Sequence, residues 1–145
     1  MFSKDHPLAD FRFHLEFRPR LSDLDPQGQV NNARFFTYFE EARAAYLRRL
    51  GLLAAQPLAL VIQRNTCTYQ APVQHHHLVQ VFLRTAGWSR RGFVFHYALW
   101  LPEEDRLAAL GSTRVICLNP ATGRGCALPA EFCAAMQRFE AGELE

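Results

Sequence analysis

Between Ala33 and Leu50 the sequence places Phe35, Phe36, Phe39, Ala42, Tyr46, Leu47 and Leu50 at helical spacing, with Glu40, Glu41, Arg43 and Arg48 between them. A single amphipathic helix of this length must bury one face against something else. The partner is written on either side of it. Residues 11–19 alternate Phe11, Phe13, Leu15 and Phe17 with Arg12, His14, Glu16 and Arg18, the period of a half-buried strand. Four β-rich runs follow, at about 58–69, 77–87, 91–101 and 106–118, separated by PVQHHH, SRRG and LPEED, which suit antiparallel hairpins. The expected class is α+β, one long central helix wrapped by a curled antiparallel sheet of about five strands. A Pro/Gly turn then leads to a short helix over about Pro129–Arg138. No linker, repeat or low-complexity tract divides residues 1–145, so one domain is expected.

Composition narrows the function classes. Sixteen basic and fourteen acidic side chains leave a net charge of +2, too little to argue for nucleic acid as a partner. The N-terminal MFSKDHPLADFRFHLEF carries charge throughout and reads as neither signal peptide nor membrane anchor, so a cytoplasmic location is expected. Cys67, Cys117, Cys126 and Cys133 form no CxxC pair and no zinc-ligand spacing, which predicts reduced, structural thiols. In the run 91–101 both faces carry large groups, Phe93, Phe95, Tyr97 and Leu99 on one and Val94, His96, Ala98 and Trp100 on the other. The helix covers one face; the other needs a second cover, which predicts a homodimer or a dimer of dimers.

The loop LSDLDPQGQVNN before the helix holds the chemistry. Asp25 lies seven residues before Asn32, with Pro26 and Gly28 between, so the loop can bring a carboxylate and the first-turn amides around one carbonyl group. Asn31 or Asn32 caps the helix start and Gly51 suits its end. Glu40 is the rival carboxylate, placed on the helix itself. Other candidates have plainer readings. Asp23 reads as a turn former, Glu41 as solvated, and Glu40 can pair with Arg43 at i, i+3 spacing. His75, His76 and His77 read as a solvated turn with too few ligands for a metal. Arg90 and Arg91 suit phosphate, yet SRRG is also an ordinary hairpin.

The stretch RPRLSDLDPQGQVNNARFFTYFEEAR, together with RNTCTYQAPV around Tyr69 and Pro72 and with TRVICLNPATGRGCALPAEF, resembles the 4-hydroxybenzoyl-CoA thioesterase family of hotdog-fold acyl-CoA thioesterases. The resemblance covers nearly the whole chain. It implies hydrolysis of an acyl-CoA thioester to free acid and coenzyme A, without metal or organic cofactor. In it Asp25 takes the place of nucleophile or general base, and the Asn32 amide polarises the thioester carbonyl. Gln29, Val30, Asn31, Phe36, Arg90 and Arg91 are the expected substrate contacts. Gln29 stands where many relatives have His, and His76–His77 where a Gly-Asp pair usually opens the next strand. Two other classes stay open: a non-catalytic hotdog module binding an acyl or aromatic ligand, and a hydratase, for which no His and acid pair is evident.

Overall fold

A computed structural model describes residues 2–53 and 59–143. Five strands, β1 (Phe13–Phe17), β2 (Ala59–Tyr69), β3 (Val79–Ala86), β4 (Gly92–Leu101) and β5 (Arg106–Leu118), form one sheet in the order β1-β3-β4-β5-β2. All pairings are antiparallel. Bulges at Ile62/Arg64 and at Leu99/Trp100 break the register, and such insertions increase local twist and bend a sheet. Strand β1 is shorter than the expected 11–19, and β3 starts at Val79 rather than at 77 because His77 belongs to the preceding turn.

Helix α1 (Arg34–Arg49) follows the sequence pattern closely and turns Phe35, Tyr38, Phe39, Ala42, Tyr46 and Leu47 into the core. Its end is fixed by Gly51 at φ +71°, a left-handed conformation that a side chain disfavours, with the Gly51 and Leu52 amides donating back to Arg48 and Leu47 carbonyls. The inner face of the sheet meets it through aromatic contacts: Tyr97 stacks on Phe39 at 4.3 Å, and Phe13 and Phe17 stand edge-on to Tyr46 and Tyr38. Gly111 on β5 permits this approach, since a Cβ there would lie 2.5 Å from Phe39 Cε2.

A second helix, α2 (Ala130–Glu140), shares that face, so α1 is not its sole occupant. Phe132 and Phe139 reach Phe93 and Tyr46 in the same cluster, and the Glu140 carboxylate accepts from the Tyr46 hydroxyl at 2.7 Å and the Thr85 amide at 3.0 Å. The opposite face is covered in part by the chain itself. Leu8, only 1% exposed, packs with Phe82, Ala98 and Trp100, while Phe2 and Phe11 stand edge-on to Phe82. The second cover inferred from strand 91–101 therefore does not come wholly from another subunit. The helical pairing of Glu40 with Arg43 is absent among the described residues: Arg43 turns inward and donates to Tyr97 Oη at 3.1 Å and Thr113 Oγ1 at 3.3 Å.

Candidate functional site

The loop before α1 is held on two sides. Leu24 bridges Val30, and Gln29 bridges Gln74, so residues 24–30 form a tight hairpin laid against the connection between β2 and β3. The Val30 amide donates to the Val73 carbonyl at 2.7 Å and joins the two segments. At the hairpin tip the Asp25 amide donates to Gln29 O at 2.7 Å, and Gly28 sits at φ +82° with its amide on Asp25 O. Asp25 is half-buried; its Oδ1 accepts from the amides of Gln27 at 2.9 Å and Gln29 at 3.1 Å. No donor among the described residues reaches Asp25 Oδ2.

Asp23 has a different part to play. It is 8% exposed, its Oδ2 accepts from the Tyr38 hydroxyl at 2.8 Å and the Arg20 amide at 3.1 Å, and its carbonyl accepts from the Asn31 amide. Burial first, and then the adjacent Asp23, push the Tyr38 phenol upward, so its hydroxyl stays protonated and donates. Asp23 thus braces the loop against α1, a larger role than the turn former expected of it.

The turn that leads into α1 leaves the Asn32 amide over. Asn31 N–H goes to Asp23 O, Ala33 N–H to the Asn31 side chain at 2.9 Å, Arg34 N–H to Asn31 O, and Phe35 N–H to Asn32 O at 3.4 Å. The N-cap position is Ala33, without a side-chain cap, so neither asparagine caps the helix as expected; the Asn31 side chain instead closes the turn ahead of it. The Asn32 N–H has no acceptor among the described residues. Asn32 also lines a pocket of about 340 Å³ with Gln29, Val30, Phe35, Tyr69, Gln70, Ala71, Pro72 and Val73. Tyr69 ties the pocket wall to the helix start, donating its hydroxyl to the Asn32 carbonyl at 2.7 Å with its ring edge-on to Phe35 at 4.9 Å. Burial and then the Cys67 thiol raise this phenol above its ordinary range, which keeps the donated proton in place.

Of the residues singled out in the sequence, Gln29, Val30 and Asn32 meet in this pocket, and Asp25 adjoins it through its bond to the Gln29 amide. Phe35 lines the pocket; Phe36 instead packs edge-on against Phe39 at 6.2 Å, and Asn31 is exposed. Glu40 is exposed in the second turn of α1 and is not among the lining residues. Arg90 and Arg91 lie in the β3–β4 hairpin, at the far end of β3 from the pocket, a separation of about 25 Å at the usual rise of a strand. Tyr69 was marked by its Tyr-x-x-Pro context, but its hydroxyl partner lies 37 residues away and leaves no local signal.

The histidine turn is not wholly solvated. His77 is buried, with Nδ1 accepting from the Gln74 amide at 2.8 Å and Nε2 on Glu104 Oε1 at 2.7 Å. His76, His77 and Glu104 are close enough to frame a cation, but both His77 ring nitrogens are occupied within the protein. The bond to His77 holds Glu104 below the usual carboxylate range.

The arrangement offers a free amide donor at a helix start, a carboxylate on the neighbouring hairpin, and a pocket between them and the β2–β3 connection. Several of the known proteins to which the chain is similar carry thioester chemistry in their names. An acyl-CoA thioesterase, YbgC, of Haemophilus influenzae is 26% identical over 138 residues, covering 92% of this chain and all of that one. A relative from Aquifex aeolicus is 31% identical over 101 residues, 67% of this chain and 77% of its own length. Among solved structures, a thioesterase from Thermus thermophilus in complex with coenzyme A and zinc superposes with a TM-score of 0.79 at 29% identity, over 91% of this chain and 97% of that one. Residues 19–136 match the model of the thioesterase-like superfamily, and the chain belongs to that superfamily.

Proposed function

We propose that the protein hydrolyses an acyl-CoA thioester, with the acyl carbonyl seated in the 340 Å³ pocket and its oxygen accepting from the Asn32 amide. The carrying observation is that amide: it lies just ahead of the first turn of α1, has no acceptor among the described residues, and its residue lines the pocket. Attack on a thioester carbonyl builds negative charge on oxygen, and a fixed donor at a helix start stabilises that charge. Asp25 then serves in one of two ways. Its carboxylate attacks the carbonyl carbon and expels the coenzyme A thiolate, leaving a mixed anhydride for water; or it takes a proton from the water that attacks. The free Oδ2 is the atom suited to either, while the bonds at Oδ1 hold the side chain in place.

The loop motif of Asp25 to Asn32 favours the 4-hydroxybenzoyl-CoA branch of the superfamily, and the named activities of the YbgC relative and of the Thermus thermophilus structure favour an acyl-CoA substrate. One observation favours a second reading, a binding module without turnover: Asp25 is not itself among the pocket-lining residues, and two amides already occupy its Oδ1. We further propose a homodimer or dimer of dimers, because β2 is an edge strand that exposes Val61 and Ile62. Among the described residues no helix is long and apolar enough to cross a membrane.

The test measures thiol release from short, long, branched and aromatic acyl-CoAs by the wild type and by Asp25→Ala. Turnover by the wild type on at least one class, and a loss of about 10² to 10⁴ in the variant, is expected. Equal turnover removes Asp25 from the mechanism. Saturable binding with no thiol release on any substrate supports the module.

A further inference from the structure

A pair of cysteines lies remote from the pocket, at the far end of β5. Cys117 is fully buried there, and Cys126 is half-exposed on the strand-like segment that returns from the turn of residues 119–124. Their Sγ atoms lie 3.2 Å apart. This approach is built into the backbone: Cys126 N–H donates to Cys117 O at 3.0 Å, Leu118 bridges Gly125, and Asn119 N–H donates to Arg124 O at 2.8 Å. On the other side Cys117 N–H is held by Arg91 O at 2.7 Å. The two sulfurs are therefore presented to one another by paired segments.

We propose that Cys117 and Cys126 are a peroxide-reactive dithiol, a site of reversible disulfide formation in which Cys126 reacts first and Cys117 resolves. The assignment of roles follows from exposure. Burial, and then its neighbour Cys126, push the Cys117 thiol up to about 11, so it stays protonated at neutral pH and meets no solvent. Cys126 is the member of the pair that solvent reaches. A hydroperoxide supplies the oxidant: Cys126 gives its thiol proton to solvent, the thiolate attacks the distal peroxide oxygen, the O–O bond breaks, and the leaving alkoxide or hydroxide takes a proton from solvent, which yields a sulfenic acid and an alcohol or water. Cys117 sulfur then attacks Cys126 sulfur, the S–O bond breaks, and the hydroxide leaves with the Cys117 proton as water. At 3.2 Å the two sulfurs already stand at the separation of a near-attack pair. The product ties the end of β5 to the segment that enters α2, across the eight residues Leu118–Gly125.

The third thiol of this region, Cys133 on α2, acts on Cys117 electrostatically and is the competing partner. The experiment discriminates between them and does not depend on thioester hydrolysis. Fully reduced protein is exposed to hydrogen peroxide, alkylated, and mapped by mass spectrometry. Loss of two of the four thiols is expected, with a Cys117–Cys126 peptide lighter by two hydrogens that dithiothreitol restores. In Cys126→Ser, a half-exposed position that should not disturb folding, loss of the Cys117 thiol slows by at least about tenfold. Four intact thiols overturn the proposal. So does a Cys126 sulfinic acid with Cys117 still alkylated, or a cross-link through Cys133.

Discussion

Tyr69→Phe separates a hydroxyl that positions the Asn32 peptide from a ring that forms the pocket wall. The substitution removes one donor from the Asn32 carbonyl and keeps the edge-on contact with Phe35. Tyr69 is 41% exposed, so water replaces the lost donor and folding stability drops by only about 0.5–1 kcal/mol. Catalysis is more demanding. Deleting an oxyanion donor outright costs about 10² to 10³ in rate; Tyr69 does not touch the reacting carbonyl but fixes the residue whose amide does, so a fraction of that loss applies. A fall in kcat of about tenfold, about 1.4 kcal/mol of barrier, is expected, with KM changed by less than about twofold because the wall remains. Tyr69→Leu removes the wall as well and should raise KM. Steady-state thiol release, with urea unfolding on the same samples, reads both quantities. If Tyr69→Phe keeps the wild-type kcat while the wild type is active, the hydroxyl has no positioning role and the Asn32 amide is not held by it.

Other perturbations test the scaffold around the site. Gly111→Ala forces Phe39 or the Thr66 carbonyl to move, since the new Cβ falls 2.5 Å from Phe39 Cε2 and 2.9 Å from Thr66 O; a loss of about 2–3 kcal/mol in urea unfolding is expected. Glu140→Ala leaves the Thr85 amide and the Tyr46 hydroxyl without their acceptor, and about 2 kcal/mol of stability should go with it, whereas Glu140→Gln, which keeps an acceptor, loses less. Stability should also depend on pH through His96, which burial and then the Arg84 charge hold below its ordinary value of 6.5. A lowered histidine means that the unfolded chain takes up the proton first, so stability is retained above about pH 6.5 and declines as pH falls below it. The urea midpoint of the wild type should therefore drop between pH 7 and 5, and His96→Gln should flatten that slope.

What could be read in the chain of letters follows from the range of the interactions involved. Helix α1 was legible because its periodicity and its C-terminal glycine lie within a few residues of one another, and β5 was found at its full length, Arg106–Leu118, between a tight turn and a Pro/Gly loop. The loop hairpin was legible in kind, since Pro26, Gly28 and the asparagines announce turns, but not in detail: only folding shows that the N-cap falls on Ala33 and that Asn31 spends its side chain on the turn before it. Features that depend on distant partners left no local trace. Arg43 looked like a surface residue at i, i+3 from Glu40, yet its partners Tyr97 and Thr113 are 54 and 70 residues on. Phe11 read as the first residue of a strand and Leu8 belonged to no expected element, and their purpose as a cover for Phe82 and Trp100 depends on the register of β3 against β4.

The same contrast explains why the amide at Asn32 is free. Helix starts leave several N–H groups without intrahelical acceptors, and capping normally uses them up. Here Asn31 contributes both its side chain and its carbonyl, and Asp23 supplies a third acceptor, so that three donors are satisfied by residues on or before the turn. Tyr69 engages the Asn32 carbonyl from the strand side and restrains this residue through the peptide that follows it. The Asn32 amide is thereby left without an acceptor at the wall of a pocket, and in the proposed reaction the Tyr69 hydroxyl, though it touches no substrate atom, positions the residue that donates it.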